Sequence, residues 1–138
     1  MRVLLLNAGS SSVKASLVES GVTAEVGARA SAEWASFRAR DEAVRSVIER
    51  VGATRASPPA AVGHRIVHGG PRYSAPQRIT SEMINDLRTL TAFDPEHLPE
   101  ELALIETLSR RFPGLPQVAC FDTAFHRALP RVAMVLPI

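Results

Sequence analysis

One cysteine, Cys120, in 138 residues leaves no partner for an internal disulfide and no basis for a cysteine-rich metal site. That usage agrees with a reducing compartment. Long apolar runs are missing too: the opening Val3-Leu4-Leu5-Leu6 is cut at once by Asn7, too short for a signal-peptide core or a membrane span. Charge of one sign is scarce. The formal net charge is +2, and the arginines are spread out, without the dense basic run or interleaved aromatics of a nucleic-acid surface. These absences predict a cytoplasmic protein with neither membrane nor nucleic acid as partner. Lysine is almost absent as well, Lys14 being the single lysine among sixteen basic residues.

What is present fits a folded domain. Apolar residues make up 46% and charged residues 22%, the balance of soluble globular chains. A chain of this length removes roughly 68 to 70% of its unfolded surface from water on folding, enough for a core. No repeat or low-complexity tract divides it, and Ser57-Pro58-Pro59 is an ordinary short connection. Residues 1–138 are therefore expected to form one unit.

The apolar run at 3–6 reads as a buried strand, Asn7-Ala8-Gly9-Ser10-Ser11 as a tight turn and residues 13–18 as the returning strand. A third strand over 22–28 would complete an antiparallel meander. Asp41 is expected to cap a helix with Val44, Val47, Ile48 and Val51 on one face, ended by Gly52. Residues 61–67 read as a strand leading into the Gly69-Gly70-Pro71 loop. Thr80 or Ser81 is expected to cap a second helix carrying Met83, Ile84, Leu87 and Leu90. Pro99, Glu100 and Glu101 open a third, whose stripe is Leu102, Ile105, Leu108 and Phe112. Residues 117–121 form the next strand, with Asp122 at its carboxyl end, and 132–138 begin another. The order βββαβαβ fits an α/β fold, an incomplete ribonuclease-H-like half of a larger enzyme.

Three segments carry chemistry. In Asn7-Ala8-Gly9-Ser10-Ser11-Ser12-Val13-Lys14, a glycine lets main-chain N–H groups approach an anion, serine hydroxyls add donors and Lys14 supplies a point charge. The same residues also suit a polar hairpin with a solvated lysine. In Gly63-His64-Arg65-Ile66-Val67-His68-Gly69-Gly70, Arg65 could clamp a carboxylate or phosphoryl group through two parallel hydrogen bonds, or make a surface ion pair. The flanking histidines are expected to be core residues satisfied by backbone, and strand spacing argues against His64 and His68 sharing a metal. In Phe121-Asp122-Thr123-Ala124-Phe125-His126, a carboxylate sits at a strand end, where ligand crevices of open α/β sheets lie, or caps a turn. His97, between Pro95 and Pro99, reads as a loop histidine.

In that order and at those separations, the three segments together resemble the acetokinase family over nearly the whole chain. The resemblance implies paired actin-like domains and transfer of the γ-phosphoryl group of ATP, assisted by Mg2+, to acetate or another short-chain carboxylate, giving acetyl phosphate and ADP. It implies Asn7 and Ser10 beside the phosphoryl group, with Ser12 and Lys14 nearby, and Asn7 at the magnesium together with a glutamate beyond this chain. Arg65 would be catalytic and bind substrate, Val67 would line the acyl pocket with His97 on the substrate side, and Asp122 would be a catalytic carboxylate. Where the family usually has Pro-Leu-His-Asn-Pro, this chain has Pro95-Glu96-His97-Leu98-Pro99, so a carboxylate stands where a pocket leucine is expected. The chain ends before the family's later glycine-rich and metal-binding segments. It is therefore expected to be inactive alone, with dimerisation possible only in a longer form. The alternative is a non-catalytic anion-binding or regulatory module that kept the phosphate loop.

Overall fold

The computed structural model describes residues 1–9, 11–19, 25–34, 37–66, 73 and 75–121. Strand β1 (Arg2–Ala8) is apolar and buried on both faces, as a central strand must be. It pairs antiparallel with β2 (Ser12–Glu19), which pairs antiparallel with β3 (Glu25–Glu33). Helix α1 (Phe37–Arg50) returns the chain to β4 (Ala61–Arg65), which lies parallel to β1. After a two-residue strand β5 (Gln77–Arg78) come helices α2 (Ser81–Thr89) and α3 (Leu98–Arg111), then β6 (Gln117–Cys120), parallel to β4 and antiparallel to β5. The sheet order is β3-β2-β1-β4-β6-β5.

Side-chain alternation gives the sheet two distinct faces. Leu4, Leu6, Val13, Ala15 and Val62 pack under Val44, Val47 and Ile48 of α1 and Leu104 and Leu108 of α3. Beside them, Ile66 and Ala119 pack with Met83 and Leu87 of α2 and Leu98, Leu102 and Ile105 of α3. On the opposite face Val3, Leu5, Val18, Ala61, Val118 and Cys120 form a separate apolar cluster. Ion pairs stitch α1 to α3 along their outer edges: Arg40 to Glu100 at 3.2 Å and Arg111 to Glu49 at 3.1 Å. Among the described residues no helix is long and apolar enough to cross a membrane.

Several local expectations are met. Gly52, at φ +92°, ends α1 with its N–H on the Glu49 carbonyl while Ala53 N–H reaches Ile48, the double bond that satisfies two orphan carbonyls. Thr80 Oγ1 accepts the Met83 N–H and caps α2. Others need correction. Asp41 is no cap, because the helix-compatible residues before it carry α1 back to Phe37; its carboxylate instead accepts from Thr107 of α3 at 3.2 Å. Strand β3 runs later than 22–28, to Glu33, because Ala28, Ala30 and Ala32 all turn toward the α1 side. The order βββαβαβ gains β5, while both helices expected ahead of the 117–121 strand are present and precede β6. The strand expected at 132–138 lies outside the described residues.

Candidate functional site

Strand register places Asn7 of β1 directly opposite Lys14 of β2, and Lys14 opposite Ser31 of β3. On the other side of β1, Leu6 aligns with His64, so Arg65 follows at the level of Asn7, and Arg65 aligns with Cys120 of β6. Ser31, Lys14, Asn7, Arg65 and Cys120 thus form one row across five strands. All lie on the face opposite α1 and α3, because their neighbours Ala30, Ala15, Leu6, His64 and Ala119 belong to the helix-covered face. Adjacent strands lie about 4.8 Å apart. The Lys14 and Arg65 backbones therefore bracket Asn7 with about 10 Å between them, a span that long cationic side chains can close around an anion.

The turn before this row is built on close packing. Gly9 N–H donates to the Ser12 carbonyl at 2.8 Å, so this amide closes the turn and is not free for an anion. A Cβ on Gly9 would stand 2.7 Å from Ser12 Oγ, so any side chain here would force that hydroxyl to move. Ser12 lies on the same face as Lys14, two residues closer to the turn. Ser10, Val67 and Asp122, expected beside these groups, lie outside the described residues, as does His68. Strands β4 and β6 nonetheless end at one edge, at Arg65 and Cys120, the carboxyl edge where ligands of open α/β sheets bind.

His64 is fully buried on the helix side and satisfied by a side chain, not by backbone. Its Nε2 lies 2.5 Å from Gln117 Oε1, while Gln117 Nε2 donates to the Ile105 carbonyl at 3.3 Å and to Ser109 Oγ at 2.8 Å. With the amide nitrogen committed, Oε1 is the acceptor and Nε2 of His64 carries the proton. Nδ1 is buried and has no hydrogen-bond partner among the described residues. Burial lowers the imidazole pKa to about 4, against which the Gln117 bond acts only partly.

His97 stands at the N-terminus of α3, its Nδ1 3.0 Å and its backbone N–H 3.2 Å from Asp94 Oδ1. A carboxylate can only accept, so Nδ1 holds a proton toward Asp94. Ile66 and Leu98, which directly follow Arg65 and His97, share one buried cluster, and this brings the end of β4 and the start of α3 together. Asp94 and Gln117 were not singled out from the sequence. Asp94 had a legible signal, an Asp three residues before a His; Gln117 had none, because its partner is 53 residues away.

A model of the acetokinase family matches residues 32–138. The acetate kinase of Deinococcus radiodurans is 37% identical over 155 residues, a match covering 96% of this chain and 38% of that protein. Among solved structures, Porphyromonas gingivalis acetate kinase superposes with a TM-score of 0.68 at 29% identity, covering 90% of this chain and 38% of that one. A propionate kinase from Francisella tularensis gives 0.65 at 30% identity, covering 91% and 38%. The chain thus spans less than two fifths of the length of each.

Proposed function

This chain belongs to the acetokinase family, and from that premise we propose that it forms the N-terminal, phosphoryl- and carboxylate-handling part of a cytoplasmic phosphotransferase. The enzyme moves the γ-phosphoryl group of ATP to acetate or another short-chain acid. The observation that carries this reading is the row of Lys14, Asn7 and Arg65 on one sheet face at the carboxyl edge.

In the proposed reaction, a carboxylate oxygen of the acid attacks the γ-phosphorus as the bond to the bridging oxygen breaks. ADP leaves on the opposite side and acetyl phosphate forms. No proton and no covalent enzyme intermediate is required, so the protein's task is positioning and positive charge. Arg65 clamps the carboxylate or the phosphoryl oxygens with its planar fork, and Lys14 follows the moving group as a point charge. Ser10 and Ser12 add hydroxyl donors, Val67 lines the acyl pocket, His97 orients the acid, and Asp122 supplies the catalytic carboxylate.

Magnesium fits this set in a limited way. Asn7 offers one hard oxygen, and among the described residues no group of three or more His, Cys, Asp or Glu side chains converges. Mg2+ tolerates such a site because it keeps its waters and takes phosphate oxygens as ligands. When bound it would neutralise phosphate charge; Asn7 is the residue here that would hold it, together with a glutamate beyond this chain.

The test is hydroxamate trapping of acyl phosphate from the native gene product with ATP, Mg2+ and a series of short-chain acids. Formation from acetate or propionate supports the reading. A folded native product that yields no hydroxamate from any of the acids overturns it.

A further inference from the structure

A cavity of about 510 Å3 opens at the outer edge of the sheet, where β2, β3 and the end of α1 meet. Among the described residues its charged lining is cationic: Lys14, Arg29 and Arg50, joined by the polar side chains of Asn7, Ser16 and Ser31. Register explains the convergence. Ser16 stands opposite Arg29 and Lys14 opposite Ser31, so Lys14 and Arg29 are diagonal neighbours on one sheet face. Arg50 arrives from α1 and donates to the Ser31 carbonyl at 2.8 Å, which fixes its guanidinium at the cavity mouth with further N–H groups to spare.

Elsewhere arginines at the helix seams meet acids, as Arg40 meets Glu100, Arg88 meets Glu106 and Arg111 meets Glu49. Among the described residues no carboxylate lines this cavity, and Glu33, further along the same face, stays outside it. Like charges held together raise the potential of a concave site, and a bound anion relieves that repulsion. The volume exceeds what a single phosphate needs and lies within the range of small-ligand sites.

We propose that this edge cavity binds a compact, multiply charged phosphate anion, of which inorganic pyrophosphate is the simplest, through Lys14, Arg29 and Arg50. The site shares Lys14 and Asn7 with the row at the carboxyl edge but stands on its own charges. It does not require phosphoryl transfer, and a negative hydroxamate assay would leave it intact.

The experiment is calorimetric titration of the 138-residue chain with sodium pyrophosphate at low ionic strength, repeated on Arg29→Ala, Arg29→Gln and Arg55→Ala. Arg55 is an exposed arginine outside the cavity and controls for diffuse attraction. The expected result is saturable one-to-one binding, weakened by about tenfold in both Arg29 variants and by less than about twofold in Arg55→Ala, with affinity falling as salt is added. Circular dichroism confirms that each variant is folded, and Arg29→Gln keeps an unbranched polar side chain on the strand should Arg29→Ala fail. Absence of saturable binding, or equal loss in the Arg29 and Arg55 variants, overturns the proposal.

Discussion

His64 and Gln117 meet diagonally across the parallel pair β4 and β6, with His64 one strand position from Arg65, and the imidazole there is a neutral donor with a pKa of about 4 against an ordinary 6.5. Between those two values the unfolded chain binds a proton that the folded chain refuses. Stability is therefore full above about pH 6.5 and declines as pH falls toward 4. At ~1.4 kcal/mol per pKa unit the loss across that window is on the order of 3 kcal/mol. Urea unfolding midpoints measured from pH 7 down to 4 should show this decline in the wild type and a much flatter profile in His64→Gln. An unchanged slope in the variant would assign the pH dependence to other groups.

Arg65 ends β4 on the face opposite α1 and α3 and is only partly buried, so its replacement removes little core packing. Arg65→Ala is expected to lower kcat/KM for acyl phosphate formation in the native gene product by roughly a hundred- to a thousandfold, the scale of losing a preorganised transition-state donor. Arg65→Lys should recover little, because a point charge cannot reproduce the two parallel bonds of the fork. A thermal midpoint unchanged alongside the lost activity distinguishes this from unfolding; full activity in both variants would remove Arg65 from the site.

Gly9 and Ser12 are coupled by space. An added Cβ would meet Ser12 Oγ at 2.7 Å, and a hydroxyl yields by rotating where a backbone could not. Gly9→Ala is thus expected to keep the fold yet lower kcat by about tenfold, equivalent to ~1.4 kcal/mol of barrier, by turning the hydroxyl away from the proposed phosphoryl site. The check is a double-mutant cycle: on Ser12→Ala the second change should have little further effect. Additive losses would mean that Gly9 acts through the turn backbone instead.

What was legible in the sequence was local. The stripe Val44, Val47, Ile48 and Val51 is buried as its spacing required, Thr80 caps α2, and Gly52 closes α1. These features depend on residues within one or two turns of each other. The failures are non-local. Strand β5 is two residues long and exists only because β6 offers an edge, and Asp41 reads as a cap until Thr107 of α3 claims its carboxylate. The candidate site divides in the same way. Asn7, Lys14 and Arg65 could be listed from their motifs, but their alignment in one row follows from sheet order, as does the convergence of Arg29 and Arg50 beside Lys14. His64 shows the limit most sharply: that it was a core histidine could be read from strand context, while its partner, 53 residues on, could not.

Of the two departures from the family pattern around His97, only one can act on a substrate's charge. Leu98 is fully buried and packs with Ile66, Met83 and Leu87, so it fills the core beneath α3. Glu96 is exposed in the connection between α2 and α3, next to the His97 that Asp94 orients. A solvated carboxylate near the proposed acid site repels a carboxylate substrate through high dielectric, weakly and in a manner that salt screens. Glu96→Leu is therefore expected to lower KM for acetate several-fold at low ionic strength while leaving kcat unchanged, the signature of an effect felt equally in ground and transition states. The difference should shrink as salt is raised. Equal KM values for wild type and variant at low salt would place Glu96 outside the acid's approach, whereas a change in kcat would bring it to the reacting atoms themselves.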